Sequence, residues 1–169
     1  MAYDRAGTGQ WMWLKAVGTQ ADPLGSDWRV ADSHLLTRVW FSKHPRSIRG
    51  GDLLVYYAAR HGAFVAIAEV VSDHVDEDLS EARWKWSMEV RPIVVLGLRD
   101  APTIYESTIE PLRVRRQSHI RLKLEEFAGI RTLILDAAAV STGQDATALA
   151  AQASSWHRDD ALPRPCPRQ

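Results

Sequence analysis

The stretch that most constrains this chain is Gly50–Val71, GGDLLVYYAARHGAFVAIAEVV. Asp52–Ala59 is rich in apolar, β-branched and aromatic residues. Arg60, His61 and Gly62 then supply a tight turn, with Gly62 free to adopt positive φ. Ala63–Val71 is apolar apart from Glu69, and such a run is normally covered on both faces, which predicts a central strand. Small residues at Ala63, Ala66 and Ala68 leave room for bulky neighbours close to its backbone.

The remaining elements follow from pattern and punctuation. Met1–Gly9 reads as a loose leader, and Gln10–Val17 as a first strand with Trp11, Trp13 and Lys15 on one face. Gly18–Asp27 is loop. Asp32 and Ser33 are placed to cap a helix running to about Ser42, with Leu35, Leu36, Val39 and Trp40 as its buried stripe. His74–Ala82 is an acidic loop, and Arg83–Leu96 a long strand in which Pro92 marks an edge or a bulge. Leu112–Arg116 suits a short strand, Arg116–Arg121 (RQSHIR) a polar loop, and Lys123–Val140 a helix. The domain is placed at 10–140, followed by an Ala- and Pro-rich tail at 141–169. The fold class is therefore α+β: a curved, mostly antiparallel sheet or barrel with helices packed outside it.

Composition narrows the function classes. A single cysteine, Cys166, excludes an internal disulfide and a cysteine-based zinc site. No phosphate-loop, dinucleotide or zinc-protease motif occurs, and the six histidines lack ligand spacing with carboxylates, so no cofactor or metal is expected. No run approaches the ~20 apolar residues of a membrane span. No signal-peptide pattern opens the sequence, and a cytoplasmic protein is the default.

The 21 basic and 21 acidic residues cancel. They are nevertheless segregated. Arg38, Lys43, Arg46, Arg49 and Arg60 face only Asp52 within Thr37–Arg60, whereas Glu69–Glu81 carries six carboxylates and no Lys or Arg. Such clusters form either a basic face opposite an acidic loop or ordinary solvated surface.

Seven tryptophans include two pairs spaced at i, i+2 (Trp11 and Trp13, Trp84 and Trp86). Trp84 and Trp86 at a strand start suit a wall on which a planar base stacks, or core packing. Trp28, in a loop, suits a pocket wall. Trp40, on the predicted helix face, suits the core. In RQSHIR, an amide, a hydroxyl, an imidazole and two guanidinium groups fit phosphate or base-edge contacts, or a capped turn. Lys15 and Glu69 are polar residues in apolar strands. If they meet, they make a nucleophile or base with a carboxylate; otherwise Lys15 lies at a strand's solvent end and Glu69 faces a basic side chain.

Taken in order, WxWLK, a loop and helix, GDLLVYYAARHGAFVAIAEVV, RWKWSMEVRP, RQSHIRL and a final helix resemble the EVE family of PUA-like domains and, more distantly, YTH domains. The motifs cover about Gln10–Leu135. The resemblance implies a PUA-like pseudo-barrel and a non-enzymatic module that recognises a modified or flipped base of DNA or RNA in an aromatic-lined pocket. Carried over by motif, that pocket would comprise Lys15, Trp28, Tyr57, Trp84, Trp86, Gln117, Ser118 and His119, with Arg113, Arg115, Arg116 and Arg121 on phosphates. One departure is Lys15-Ala16, where many EVE domains carry Lys-Ser. Two competing expectations stand beside it. Related ASCH-type folds include hydrolases that use a lysine and a carboxylate, which would be Lys15 and Glu69 here. Alternatively the acidic loop docks a basic protein partner.

Overall fold

The computed structural model describes residues 9–115 and 117–142. Seven strands curl into one sheet. β1 (Met12–Val17), β2 (Arg38–Phe41), β3 (Leu53–Ala58), β4 (Ala63–Val70), β6 (Trp86–Val95) and β7 (His119–Arg121) lie in the order β2-β6-β4-β3-β1-β7. The two-residue β5 (Asp76–Glu77) pairs with β6. Among the described residues only the β1–β3 pairing is parallel; the other pairings are antiparallel. The helices are α1 (Trp28–Ala31), α2 (Pro111–Arg115) and α3 (Leu124–Thr142), with 3-10 turns at Ser33–Leu36 and Ile104–Glu106. The fold class is thus α+β, a curled half-barrel with flanking helices.

The hairpin forms the centre of the sheet, as its sequence predicts. β4 lies between β3 and β6 and is buried except at Glu69. Gly62 turns the chain at φ +64°, next to Arg60 at φ +70°. Two cores flank the sheet. Alternate positions Met12, Leu14, Leu53, Val55 and Ile67 pack against Phe127, Ile130 and Ile134 of α3. The other face carries Trp13, Val17, Leu54, Tyr56, Ala66 and Ala68, and is covered by Leu24, Trp28, Val39, Phe41 and Met88. The alanines of β4 therefore face large rings, and each large side chain sealed here contributes roughly 1.5–3 kcal/mol of burial. Pro92 sits at a bulge inside β6, not at an edge: Ala68 pairs with Pro92 and Ile67 with Val94, so Ile93 is skipped.

Three predicted elements differ. The helix expected from Asp32 to Ser42 is a single 3-10 turn followed by β2. Val39 and Phe41 are buried while Arg38 and Trp40 are half-buried, a period of two set by pairing with β6. Leu112–Arg116 was expected to be extended, but residues 111–115 are helical, opened by Pro111 at the first position, where its missing N–H costs nothing. The second half of RQSHIR is strand β7, which pairs Lys15 with His119 and Trp13 with Arg121.

Candidate base-binding cleft

The free ends of the sheet path, β2 and β7, approach each other through side chains. The ring of Phe41 on β2 meets that of His119 on β7 edge-on, with centroids 5.3 Å apart. His119 in turn lies 5.9 Å from the Trp13 ring. At this seam opens a cleft of about 270 Å³. Its walls are the end of β1 and the following loop (Lys15 to Thr19), Asp32 and Leu35 near the 3-10 turn, Trp40 on β2, and Trp84 just before β6. Two indoles from separate elements thus share one cavity. A space of this size suits a single planar ring system better than a drug-sized ligand.

Lys15 is the buried polar group of the cleft, at 2 % exposure. Its Nζ donates to the Ala16 carbonyl and lies 5.3 Å from the Phe41 ring centroid and 5.4 Å from that of Trp84. Among the described residues it forms no ion pair. Burial without a counter-charge pulls its pKa down to about 7. His119 is lowered to about 4, first by burial and then by the charges of Lys15 and Lys43. Its Nδ1 is 3.0 Å from Ser118 Oγ, and the Ser118 carbonyl accepts the Ala16 N–H at 2.9 Å.

Of the residues carried over from the resemblance, Lys15 and Trp84 line the cleft; Ser118 and His119 do not, although His119 pairs with Lys15 across β1 and β7. Trp28 does not. It is fully buried, and its indole N–H donates to the Leu96 carbonyl at 2.9 Å, anchoring the segment between β1 and β2 to the sheet. Trp40 takes the wall position instead, its ring edge-on to His34 at 5.3 Å. Tyr57 faces the α3 core, with its ring 6.0 Å from Phe64, because it alternates with the cleft-side Tyr56. Trp86 lies outside the lining, against His44 at 4.7 Å, and Gln117 is exposed away from it.

The arginines differ as well. Arg113 is committed to Glu126 at 2.5 Å and to the Arg121 carbonyl at 2.9 Å. Arg121 lies over the Trp11 ring, 3.5 Å from its centroid. Arg115 is exposed on α2, and Arg116 lies outside the described residues. The proposed pairing of Lys15 with Glu69 fails on geometry. Lys15 aligns with Tyr56 and Ala66 on the cleft face, whereas Glu69 aligns with Leu53 on the other face and bonds Arg91 at 2.6 Å. Glu69 does face a basic side chain, but Lys15 is not at a solvent end.

Asp52 escaped the sequence reading. Fully buried, its carboxylate accepts the Trp11 N–H, the Arg49 N–H and the Trp13 indole N–H, each at 3.0 Å. The preceding glycines make this possible. Gly51 holds φ +87°, and a Cβ on Gly50 would lie 2.9 Å from the Ser72 Cα. The signal was the GGD triplet opening an apolar strand.

Fold and site together define a class: a curled α+β half-barrel whose open seam holds an aromatic cleft. Solved structures include two that share the fold and a third with a weaker likeness. Rpa0253 from Rhodopseudomonas palustris superposes with a TM-score of 0.50 at 18% identity, over 73% of this chain and 92% of that one. Atu2648 from Agrobacterium tumefaciens gives 0.51 at 16% identity, over 73% and 92%. The Mmi1 YTH domain, solved in complex with RNA, gives 0.49 at 11% identity, over 80% and 82%. Identities this low speak to the fold alone. No family model matches the chain, and no curated protein matches it. Among the described residues, no helix is long and apolar enough to cross a membrane.

Proposed function

We propose that this chain is a non-enzymatic nucleic-acid-binding module of EVE type, which takes an extruded, modified base of DNA or RNA into the cleft between Trp40 and Trp84. The observation that carries the reading is the pair of indoles from different elements lining one cavity with a buried amine beside them. Stacking on such walls is worth ~1–3 kcal/mol per base and tolerates substituents. Lys15 Nζ then addresses the base edge. The phosphates fall to cations near the mouth: Arg83, whose guanidinium lies 5.1 Å from the Trp84 ring centroid, and Lys43, whose charge is felt at His119. This assignment replaces Arg113, which α3 occupies.

Tryptophan fluorescence on titration with modified-base oligonucleotides, in low and then high salt, tests the reading. One modified base is expected to quench in a salt-resistant manner. Trp40→Ala and Trp84→Ala should each weaken that binding by roughly 5- to 150-fold, the equivalent of ~1–3 kcal/mol. Equal affinity in both variants would end the reading.

A further inference from the structure

Contact with a base edge does not by itself require an amine as deeply buried as that of Lys15. Lys15 is the buried member of the chain's four lysines. Lys43 and Lys123 are exposed, and half-buried Lys85 has Glu77 at 3.4 Å. The Lys15 Nζ lies over the Phe41 ring at 5.3 Å and over the Trp84 ring at 5.4 Å, and no carboxylate pairs with it among the described residues. An amine shielded in this way from water and counter-charge is a nucleophile.

We infer that Lys15 captures an aldehyde-bearing base, such as a formylpyrimidine within an oligonucleotide, as a reversible imine. This rests on the base-binding reading above and names the ligand class it takes. A formyl group conjugated to the ring keeps the ligand flat enough to stack, and it places an electrophilic carbon at the edge, toward the amine beside Trp84. In the step, the Nζ lone pair attacks the formyl carbon and the carbonyl π pair moves to oxygen. A proton passes from nitrogen to that oxygen, giving a carbinolamine. The second N–H proton and the hydroxyl then leave as water while the nitrogen lone pair closes the C=N bond. No oxidant or reductant is consumed, and hydrolysis returns both partners. The lowered pKa of Lys15, about 7, favours the same site: near neutral pH far more of this amine is neutral than of an ordinary lysine.

The test mixes the full chain at pH 7 with a short oligonucleotide carrying one formylpyrimidine, adds cyanoborohydride, and maps the reduced adduct by peptide mass. Roughly tenfold or greater enrichment at Lys15 over Lys43, Lys85 and Lys123 is expected, with loss of the adduct in Lys15→Arg. The wild-type map alone decides the matter if that variant misfolds. Quenching by the formyl oligonucleotide with label spread over the other lysines, or with none, overturns the imine and leaves the base-binding reading standing. Absence of both quenching and adduct, with no response to other modified bases, overturns both.

Discussion

Replacing Lys15 by methionine exposes the energetic cost of burying its amine. The folded protein releases the Lys15 proton near pH 7, whereas the unfolded chain holds it to about 10.5. Between those values the unfolded state binds more protons, so stability rises with pH across the window; below about pH 7 both states are protonated and this group adds no slope. At 1.36 kcal/mol per pH unit, wild type should gain on the order of 3 kcal/mol between pH 7 and about 9.5. Stopping there avoids Tyr56, whose phenol burial pushes up and which acts in the opposite sense at higher pH. Lys15→Met removes the slope. At pH 7 it should also be the more stable protein by a few kcal/mol, less about 1 kcal/mol for the lost bond to the Ala16 carbonyl. Urea unfolding at a series of pH values reads both quantities. Parallel curves for the two proteins within about 0.5 kcal/mol would refute the desolvation argument. His119, lowered to about 4, contributes a separate rise between that pH and 6.5, shallower in the variant because the Lys15 charge is one of its causes.

The tryptophans and the buried carboxylate give two further outcomes. Trp28→Ala should cost about 3–5 kcal/mol of stability by urea unfolding, since it empties a fully buried site and frees the Leu96 carbonyl; a wild-type midpoint would contradict the core assignment. Asp52→Ala leaves three N–H donors facing a void and should destabilise by roughly 3–5 kcal/mol in the same assay; a loss below about 1 kcal/mol would show that water replaces the carboxylate.

Local pattern sufficed where an element's neighbours do not alter its reading. The Gly50–Val71 hairpin is apolar on both faces, which pointed to a central strand, and Pro92 pointed to an edge or a bulge, of which the pairing of β6 with β4 selects the bulge. The α3 stripe of Phe127, Ile130 and Ile134 needed no partner to be read as a buried face. Elsewhere the deciding contact lay far along the chain. Leu35 to Phe41 satisfies a period of 3.6 and a period of two, and only pairing with β6 selects the second. Trp28 and Trp40 exchange roles for the same reason: a loop tryptophan became core by reaching Leu96, 68 residues away. The resemblance put Arg113 on phosphates, yet it is spent on Glu126 of α3, a pairing that composition does not encode.

The amine of Lys15 owes its environment to a relay of rings starting at the other end of β1. Asp52 fixes the Trp13 indole by a hydrogen bond, Trp13 stands against His119, His119 meets Phe41 edge-on, and Phe41 lies beneath Nζ. Phe41 is thus one of the groups beside the buried amine, and burial is what lowers its pKa. The acidic side chains that do line the cleft, Asp22 and Asp32, form no ion pair with it. Had the fold brought one of them to the amine, a buried ion pair would hold the charge in place and the amine would stay protonated. The proposed base-edge contact and imine chemistry therefore both depend on the rings beside Lys15, and opening them to water should return it to an ordinary lysine.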